Sequence, residues 1–449
     1  MASSKGDAAK TARMAAGPGR LPPELLANIY DRLEFLDRIA FAAVFAAYCD
    51  DDNYDHVFEQ RAPWLLLPCC EETKNPATAT LFSVADRRAA TVRAPDPALR
   101  GHTVLGSSRG WLATADTMGQ IYVVNPASGE QQALPDITTM GSFLSRLNHH
   151  WFSVWMKPFL TARFGCEPPF GDYYRGPRYY GKRTFSADEM AGWFYRKVVL
   201  STSPSDATAM LILDRIFGAP AFATSEDAVW RLAPSRDGVE DAIHHDGRFY
   251  SVSYTGVVEA WEHNAESGAY TSTAASPRLT ITNEEEGSRK YLAMASGGRL
   301  MVVVKHAQVI EKGRKSWADK WRCSFEVHFL GDDGQWKEKR DIGDSTLFVG
   351  LNNSLCVPTR GRPEIQAGCI YFTDDELREA ALRKRNELGS SFLSYRGCVR
   401  NDDKFHDHDM RAIGVYSLKD GTVKKMEALG KEWYERLWMP PVWITPYIP

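Results

Sequence analysis

One pattern recurs along these 449 residues and limits the fold more than any other feature. A glycine opens a short β-type run, a turn follows, a second run carries aromatics, and a polar turn ends in glycine. Gly110-Trp111-Leu112-Ala113-Thr114 leads to Ile121-Tyr122-Val123-Val124-Asn125-Pro126-Ala127-Ser128-Gly129. Gly247-Arg248-Phe249-Tyr250 leads to Val257-Val258-Glu259-Ala260-Trp261 and a turn to Gly268. Gly298-Arg299-Leu300-Met301 leads to Phe325-Glu326-Val327-His328-Phe329 and Gly334, and Gly368-Cys369-Ile370-Tyr371-Phe372 to Ile413-Gly414-Val415-Tyr416 and Gly421. The starts at 247 and 298 lie about 50 residues apart, the size of a four-stranded kelch-type propeller blade.

Such repeats become one body without long exposed edges in a β-propeller. The expectation is therefore a mainly β chain, a propeller of kelch-like blades, six or seven in number. The alternative is a β-sandwich with a second β-domain. Residues 197–235 fit a blurred further copy, and the gap from 110 to 247 holds about three units. Ala62-Pro63-Trp64-Leu65-Leu66-Leu67-Pro68 reads as an additional strand between prolines. Aromatics reach 12%, with 13 Trp, as β-rich architecture favours.

Two stretches interrupt the pattern. Residues 141–195 are dense in aromatics, Trp151, Phe152, Trp155, Phe159, Trp193 and Phe194 among them, with interleaved Arg163, Arg175, Arg178, Lys182 and Arg183. They could pack as a lid, present a protein-binding surface, or stack on RNA bases. Residues 374–410 form the second insertion. Its first part, 374–389, reads as a solvated helix with acids early and bases late.

Before residue 60 the period is helical. Pro22-Pro23-Glu24 opens a helix, since proline suits a first turn whose N–H groups have no partner. Leu25, Leu26, Ile29 and Leu33 follow at helical spacing. After a break at Glu34-Phe35-Leu36, Asp37 can cap a second helix carrying Ile39, Ala43, Val44, Ala47 and Tyr48. About 30 residues cannot bury such an apolar face alone, so it needs a partner surface. Residues 1–20 hold Lys5, Lys10, Arg13 and Arg20 against Asp7 and read as a disordered tail, with a transit peptide as the alternative.

The formal charge of −3 gives no basic excess of the kind that marks a dedicated nucleic-acid binder. No apolar run is long enough for a membrane span. Eight sparse cysteines, of which only Cys69 and Cys70 lie close together, show no zinc spacing and suggest reduced thiols and a cytoplasmic or nuclear chain. Motifs that could carry chemistry lack their context. Gly106-Ser107-Ser108-Arg109-Gly110 matches a nucleophile elbow, but a strand follows where a helix is needed. Gly176-Pro177-Arg178-Tyr179-Tyr180-Gly181-Lys182-Arg183 has Arg183 where a P-loop needs Ser or Thr. His406, His408 and Asp409 sit in a polar stretch, and the pairs His149-His150 and His244-His245 point apart on a strand. Glu284-Glu285-Glu286 reads as a solvated turn. The expectation is no catalytic residue, no cofactor and no metal.

The run Leu21-Pro22-Pro23-Glu24-Leu25-Leu26, with Ile29, Leu33, Leu36-Asp37-Arg38-Ile39 and Val44, resembles an F-box. The remainder resembles the plant β-propeller family of the KIB type. The stretches that carry this are Ile342-Gly343-Asp344-Ser345-Thr346-Leu347-Phe348-Val349-Gly350, Gly368-Cys369-Ile370-Tyr371-Phe372-Thr373-Asp374-Asp375, Asn125-Pro126-Ala127-Ser128-Gly129-Glu130 and Trp438-Met439-Pro440-Pro441-Val442-Trp443-Ile444. The expected organisation is a tail over 1–20, a small all-α F-box over 21–55 and a propeller over 60–449.

The resemblance implies the substrate-recognition subunit of an SCF-type ubiquitin ligase. The F-box would dock on a Skp-type adaptor, and through it a cullin, while the propeller holds a target protein. Leu21, Pro22, Leu25, Leu26, Ile29, Leu36, Ile39 and Val44 would form the adaptor-facing or helix-packing set. F-boxes often end on Val-Cys-x-x-Trp, whereas this chain has Val44-Phe45-Ala46-Ala47-Tyr48-Cys49. That departure leaves a second reading, a propeller interaction module with a degenerate F-box and no ligase role.

Overall fold

The computed structural model describes residues 22–33, 37, 41, 62–67, 78–93, 99, 101–126, 129–141, 144–164, 181–201, 208–281, 288–295, 297–311, 320–373, 375, 377, 413–426, 429 and 440–445. They are mostly strand. The first sheet holds β1 (Trp64–Leu67), β2 (Thr78–Ser83) and β3 (Arg88–Arg93). The next is β4 (Thr103–Ser108), β5 (Trp111–Ala115), β6 (Ile121–Val124) and β7 (Gln131–Ala133), in that order. A three-stranded sheet follows from β8 (Leu144–Asn148), β9 (Trp151–Trp155) and β10 (Lys182–Ser186).

Three more four-stranded sheets run in sequence order. They are β11 (Tyr195–Leu200), β12 (Thr208–Leu213), β13 (Ala221–Thr224) and β14 (Arg231–Leu232); β15 (Val239–His245), β16 (Arg248–Ser253), β17 (Val258–Asn264) and β18 (Ala269–Ala274); and β19 (Arg289–Met294), β20 (Leu300–Glu311), β21 (Lys320–Leu330) and β22 (Trp336–Glu338). The last sheet holds β23 (Ser345–Val349), β24 (Leu355–Pro358), β25 (Cys369–Thr373), β26 (Ile413–Ser417) and β27 (Thr422–Lys424), ordered β24-β23-β25-β26-β27. The final strand, β28 (Val442–Ile444), returns to the first sheet and pairs antiparallel with β1, Trp443 opposite Leu65. The helices with both ends among the described residues are α1 (Pro23–Arg32), α2 (Met156–Phe164), α3 (Ala187–Trp193) and a short 3-10 turn at Ile137–Thr139.

The recurring glycines have a local cause. Arg109-Gly110 and Asp246-Gly247 both take positive φ, 45° and 82°, then 47° and 74°. That is the two-residue turn whose twist matches a β-hairpin, and glycine enters it without steric cost. The units at 110, 247 and 298 are thus the second and third strands of a sheet, and the unit at 368 is the third and fourth strands of the five-stranded one. The closing glycines end five-residue turns: the N–H groups of Gly129, Gly268 and Gly421 donate to the carbonyls of Asn125, Asn264 and Ser417 at 2.9, 2.8 and 2.8 Å.

The sheets pack in a propeller-like arrangement. Their first strands lie side by side: β28 against β4, β4 against β11, β11 against β15, β15 against β19, β19 against β24. Burial falls from the first strand to the last, as in β15 and β19 against the exposed β18 and β22. At Gly106 on β4 an added Cβ would lie 2.2 Å from the Val198 carbonyl of β11, so only glycine lets these two strands meet. The last sheet meets the first through Phe348 and Tyr371, whose rings lie 5.0 and 6.2 Å from Trp443.

Two sequence expectations are refined. The middle unit of the 110–247 gap is the three-stranded sheet, and β4 contacts β11 directly past it. The stretch between 298 and 368 is occupied by the long β20–β21 hairpin and by β23 and β24. One expectation is corrected. The helix at 374–389 was expected to be solvated, yet Asp375 and Leu377 are buried, Leu377 in the same core as Leu105 and Trp111. The rest of that segment lies outside the described residues.

Trp443 is the joint between the chain's two ends. Trp443→Ala should lower stability by about 3–5 kcal/mol, the usual cost of deleting a buried large aromatic. Chemical denaturation of the two proteins checks it, and an unchanged midpoint would refute the role of the joint.

Candidate functional site

Helix α1 starts at Pro23, as the proline rule requires, and ends where Leu33 turns to extended backbone. Residues four apart share a helical face. Leu26 and Tyr30 make a buried pair, with the Tyr30 ring 6.3 Å from Phe41. Leu25 and Ile29 make a second pair, and this one is 50% and 38% exposed. The expected set therefore divides. Leu26 packs inward, while Pro22, Leu25 and Ile29 face solvent. Leu21, Leu36, Ile39 and Val44 lie outside the described residues. Asp37 and Phe41 are helical.

The first strands carry a chain of buried charges that links one sheet to the next. Lys197 on β11 and Asp241 on β15 are fully buried, with Nζ 2.5 Å from Oδ1. The other Asp241 oxygen accepts the Leu292 N–H of β19 at 2.8 Å. Glu240 on β15 accepts from both the backbone N–H and the Nζ of Lys290 on β19, at 3.2 and 3.3 Å. Arg289 Nε lies 2.5 Å from Asp375 Oδ2, close enough for an ion pair though not aligned as a hydrogen bond, and Tyr291 donates to Asp375 at 3.2 Å.

Desolvation dominates the titration of Lys197 and Glu240. Burial pushes the Lys197 ammonium down against the pull of Asp241, and pushes the Glu240 carboxyl up against Lys290. The Tyr254 hydroxyl, also buried, is pushed up to about 12. The pairs therefore align neighbouring sheets rather than add much net stability. Sequence reasoning passed over them. The available signal was a charge doublet inside an apolar strand, Glu240-Asp241, answered one unit later by the opposite doublet Arg289-Lys290.

The motifs set aside on sequence grounds fall as follows. Ser107 lies within β4, which ends at Ser108; Arg109-Gly110 turns, and β5 follows as a strand. Ser107 Oγ donates to the Trp443 carbonyl, and its own carbonyl accepts the Asn353 N–H at 2.8 Å, so the serine is spent on joining β4 to β28 and to the last sheet. His149 and His150 form the exposed β8–β9 turn. His244 stacks edge-on against Phe249 at 4.9 Å on β15. Segments 165–180, 282–287 and 401–412, with the P-loop-like run, the triple glutamate and the His406–Asp409 cluster, lie mostly or wholly outside the described residues. Among the described residues no group of three or more His, Cys, Asp or Glu is arranged to hold a metal.

Among the described aromatics of the insertion, Phe152, Phe159, Phe194 and Tyr195 are buried. Phe159, Phe194 and Phe217 meet edge-on at 4.7–5.8 Å between the three-stranded sheet and β11. That agrees with the lid reading for those rings. Trp155 instead stands 40% exposed.

Two measurements test the electrostatics. Lys197→Met strands the buried Asp241 carboxylate and should cost about 3–5 kcal/mol, while adding Asp241→Asn, which keeps an acceptor for Leu292, should restore most of it. Urea titration of both variants distinguishes a pair from simple packing. Burial, then Arg109, holds the His244 pKa below its usual 6.5. The unfolded chain therefore binds this proton first on acidification, and stability falls as pH drops from about 6.5 towards the lower folded value. His244→Phe should flatten that part of the Tm-versus-pH curve; an identical slope in both proteins would refute it.

A protein of Arabidopsis thaliana that carries the name F-box protein is 29% identical over 134 residues, which span 30% of this chain and 31% of that protein's length. Among solved structures, a Lactobacillus plantarum protein aligns with 64% of this chain and 84% of its own at 9% identity and a TM-score of 0.28. The Cps50 (Swd1) beta-propeller domain of Myceliophteria thermophila aligns with 66% and 83%, at 11% identity and a TM-score of 0.27. At those scores neither likeness bears on function. The description of the KIB1-4 beta-propeller matches residues 81–417, three quarters of the length, and the chain belongs to that family.

Proposed function

We propose that this chain is the substrate-recognition subunit of an SCF-type ubiquitin ligase. The single observation that carries the reading is the divided helix α1. Its inner pair Leu26 and Tyr30 is buried, while Leu25 and Ile29 are left as an exposed apolar pair ahead of a propeller. An exposed pair of this kind, four residues apart, is what an amphipathic helix offers to a partner groove. The occupant in this reading is a Skp-type adaptor, which brings a cullin. The similarity to an F-box protein of Arabidopsis thaliana supports it, over less than a third of either chain.

The body of the reading is a closed propeller of six blades preceded by a small all-α F-box, within the bounds 21–55 and 60–449. The direct contact of β4 with β11 supports six, because it leaves the three-stranded sheet as an insertion between two blades. The propeller holds the target. The chain itself performs no chemistry: it raises the concentration of target lysines beside a conjugating enzyme recruited through the cullin. The place of action is the cytoplasm or the nucleus. Among the described residues no helix is long and apolar enough to cross a membrane.

A second reading is favoured by one feature, the run Val44-Phe45-Ala46-Ala47-Tyr48-Cys49, which lacks the usual Cys and Trp of an F-box end. In that reading the propeller binds its target without a ligase.

The double variant Leu25→Asp, Ile29→Asp should abolish capture of a purified Skp-type adaptor and leave the circular dichroism of the propeller unchanged. A deletion of residues 1–55 serves as control. Undiminished capture by the double variant would reject the adaptor assignment, and no capture by the native chain would select the second reading.

A further inference from the structure

The segment between β23 and β24 reaches from the last sheet to β4. Leu351 is buried in the same core as Leu105 and Val198. Asn352 forms an isolated bridge with Ser107, the Asn353 N–H donates to the Ser107 carbonyl at 2.8 Å, and Asn353 Nδ2 donates to Ser108 Oγ at 2.9 Å. On the β4 side the segment is thus held by direct hydrogen bonds. On the other side Gly350 follows β23, which pairs in parallel with β25, and it lies against Thr373. Two buried oxygens there, Asn352 Oδ1 and Thr373 Oγ1, have no hydrogen-bond partner among the described residues. Their residues are 1% and 0% exposed. A buried polar atom in that state is costly and calls for a partner.

The two oxygens converge on one place. A Cβ added to Gly350 would lie 2.1 Å from Thr373 Oγ1 and 3.2 Å from Asn352 Oδ1. Apart from Gly350 and its chain neighbours, the next atom to that point is Thr373 Cβ at 3.4 Å. One water spans oxygens up to about 5.6 Å apart, twice a usual O–H···O distance, and this pair lies within that reach. The orientation of Asn352 is fixed, because its Nδ2 donates to the carbonyls of Phe348 at 3.1 Å and Asn353 at 2.6 Å. Turning the amide over would set its oxygen against both carbonyls. Asn352 therefore offers an acceptor, and Thr373 an acceptor or a donor. Charge narrows the occupant. Arg289 Nε lies 2.5 Å from Asp375 Oδ2, two positions beyond Thr373, and Lys305 Nζ lies 5.3 Å from the Phe372 ring. A cation would meet these positive groups with the neighbouring carboxylate already matched. A small neutral donor meets no such cost, and the polar site with two partners suits a single water.

We propose that Asn352 Oδ1 and Thr373 Oγ1 hold one buried water beside Gly350, and that this water ties the segment 350–353 to β25 as direct hydrogen bonds tie it to β4. A bridging water is nearly as good as a direct bond. It also re-aims more easily than a side chain, so the last sheet can shift slightly against β4 without losing a bond. Glycine at 350 then serves the water as well as the close approach of Thr373. This goes beyond the reading of the chain as a target receptor and is independent of whether α1 engages an adaptor.

The test is a crystal structure of the full-length chain at a resolution that shows ordered water. The expected result is one peak about 2.7–3.0 Å from both oxygens. Thr373→Val keeps the shape of the side chain and removes the hydroxyl, so its crystals should lack the peak and its urea midpoint should fall. Thr373→Ser keeps the hydroxyl and should keep the peak; with the native crystal it decides the matter if the valine variant does not fold. A direct hydrogen bond from Thr373 to Asn352 with no peak between them would overturn the proposal. So would a site that gives an anomalous signal after soaking in rubidium or terbium, which marks a cation, or a Thr373→Val chain that unfolds at the native midpoint.

Discussion

The structure depends on closing a row of sheets on itself. A sheet edge left open exposes unpaired N–H and C=O groups, and a row of sheets left open exposes two apolar flanks. Here both problems are met by three residues, Val442–Ile444, which pair with β1 and lie against β4. Trp443 then packs on Phe348 and Tyr371 of the last sheet, while its carbonyl accepts from Ser107. Strands from residues 64–93 and 442–444 are thereby held in one sheet, and the sheets other than the three-stranded one lie in a row between their neighbours.

Within that ring the neighbours are set by two kinds of contact. Apolar faces supply most of the burial, but they are forgiving about small sliding. The buried charges are not. Asp241 reaches Lys197 on one side and the Leu292 N–H on the other, so β11, β15 and β19 are fixed by one carboxylate. Glu240–Lys290 adds a second link from β15 to β19, and Arg289 of β19 pairs with Asp375, two residues past the end of β25. Gly106 and Gly350 do related work at points of close approach; at Gly350 an added Cβ would lie 2.1 Å from Thr373 Oγ1. A rigid frame of this kind leaves function to what is attached to it, and two attachments stand out. One is α1 with its open Leu25–Ile29 pair, the other the inserted sheet with its open Trp155.

The legible part of the fold was the part written in local chemistry. Glycines 110, 247, 298 and 368 could be read because each sits in a turn that needs positive φ, and the run Trp64–Leu67 because prolines bracket it. The proline start of α1 and its apolar spacing were equally visible. The first strand of each sheet was harder to see. Strands such as β11 and β15 carry lysine or aspartate amid apolar residues, which breaks the two-residue alternation on which strand recognition rests. Of the candidate adaptor set, spacing named the helix face, but the division between Leu26 inside and Leu25 outside needed the third dimension.

The sequence by itself determined the repeat, the turn chemistry and the family, since each depends on residues close together in the chain. Only the tertiary structure decided which charges meet. Lys197 and Asp241 are 44 positions apart and Ser107 and Trp443 are 336 apart, and no local rule links them. It likewise decided that the three-stranded sheet stands aside from its neighbours, because β4 and β11 pack directly and leave it no place between them. Burial is a property of what surrounds a residue. The same tryptophan codon therefore yields a core joint at 443 and an open face at 155.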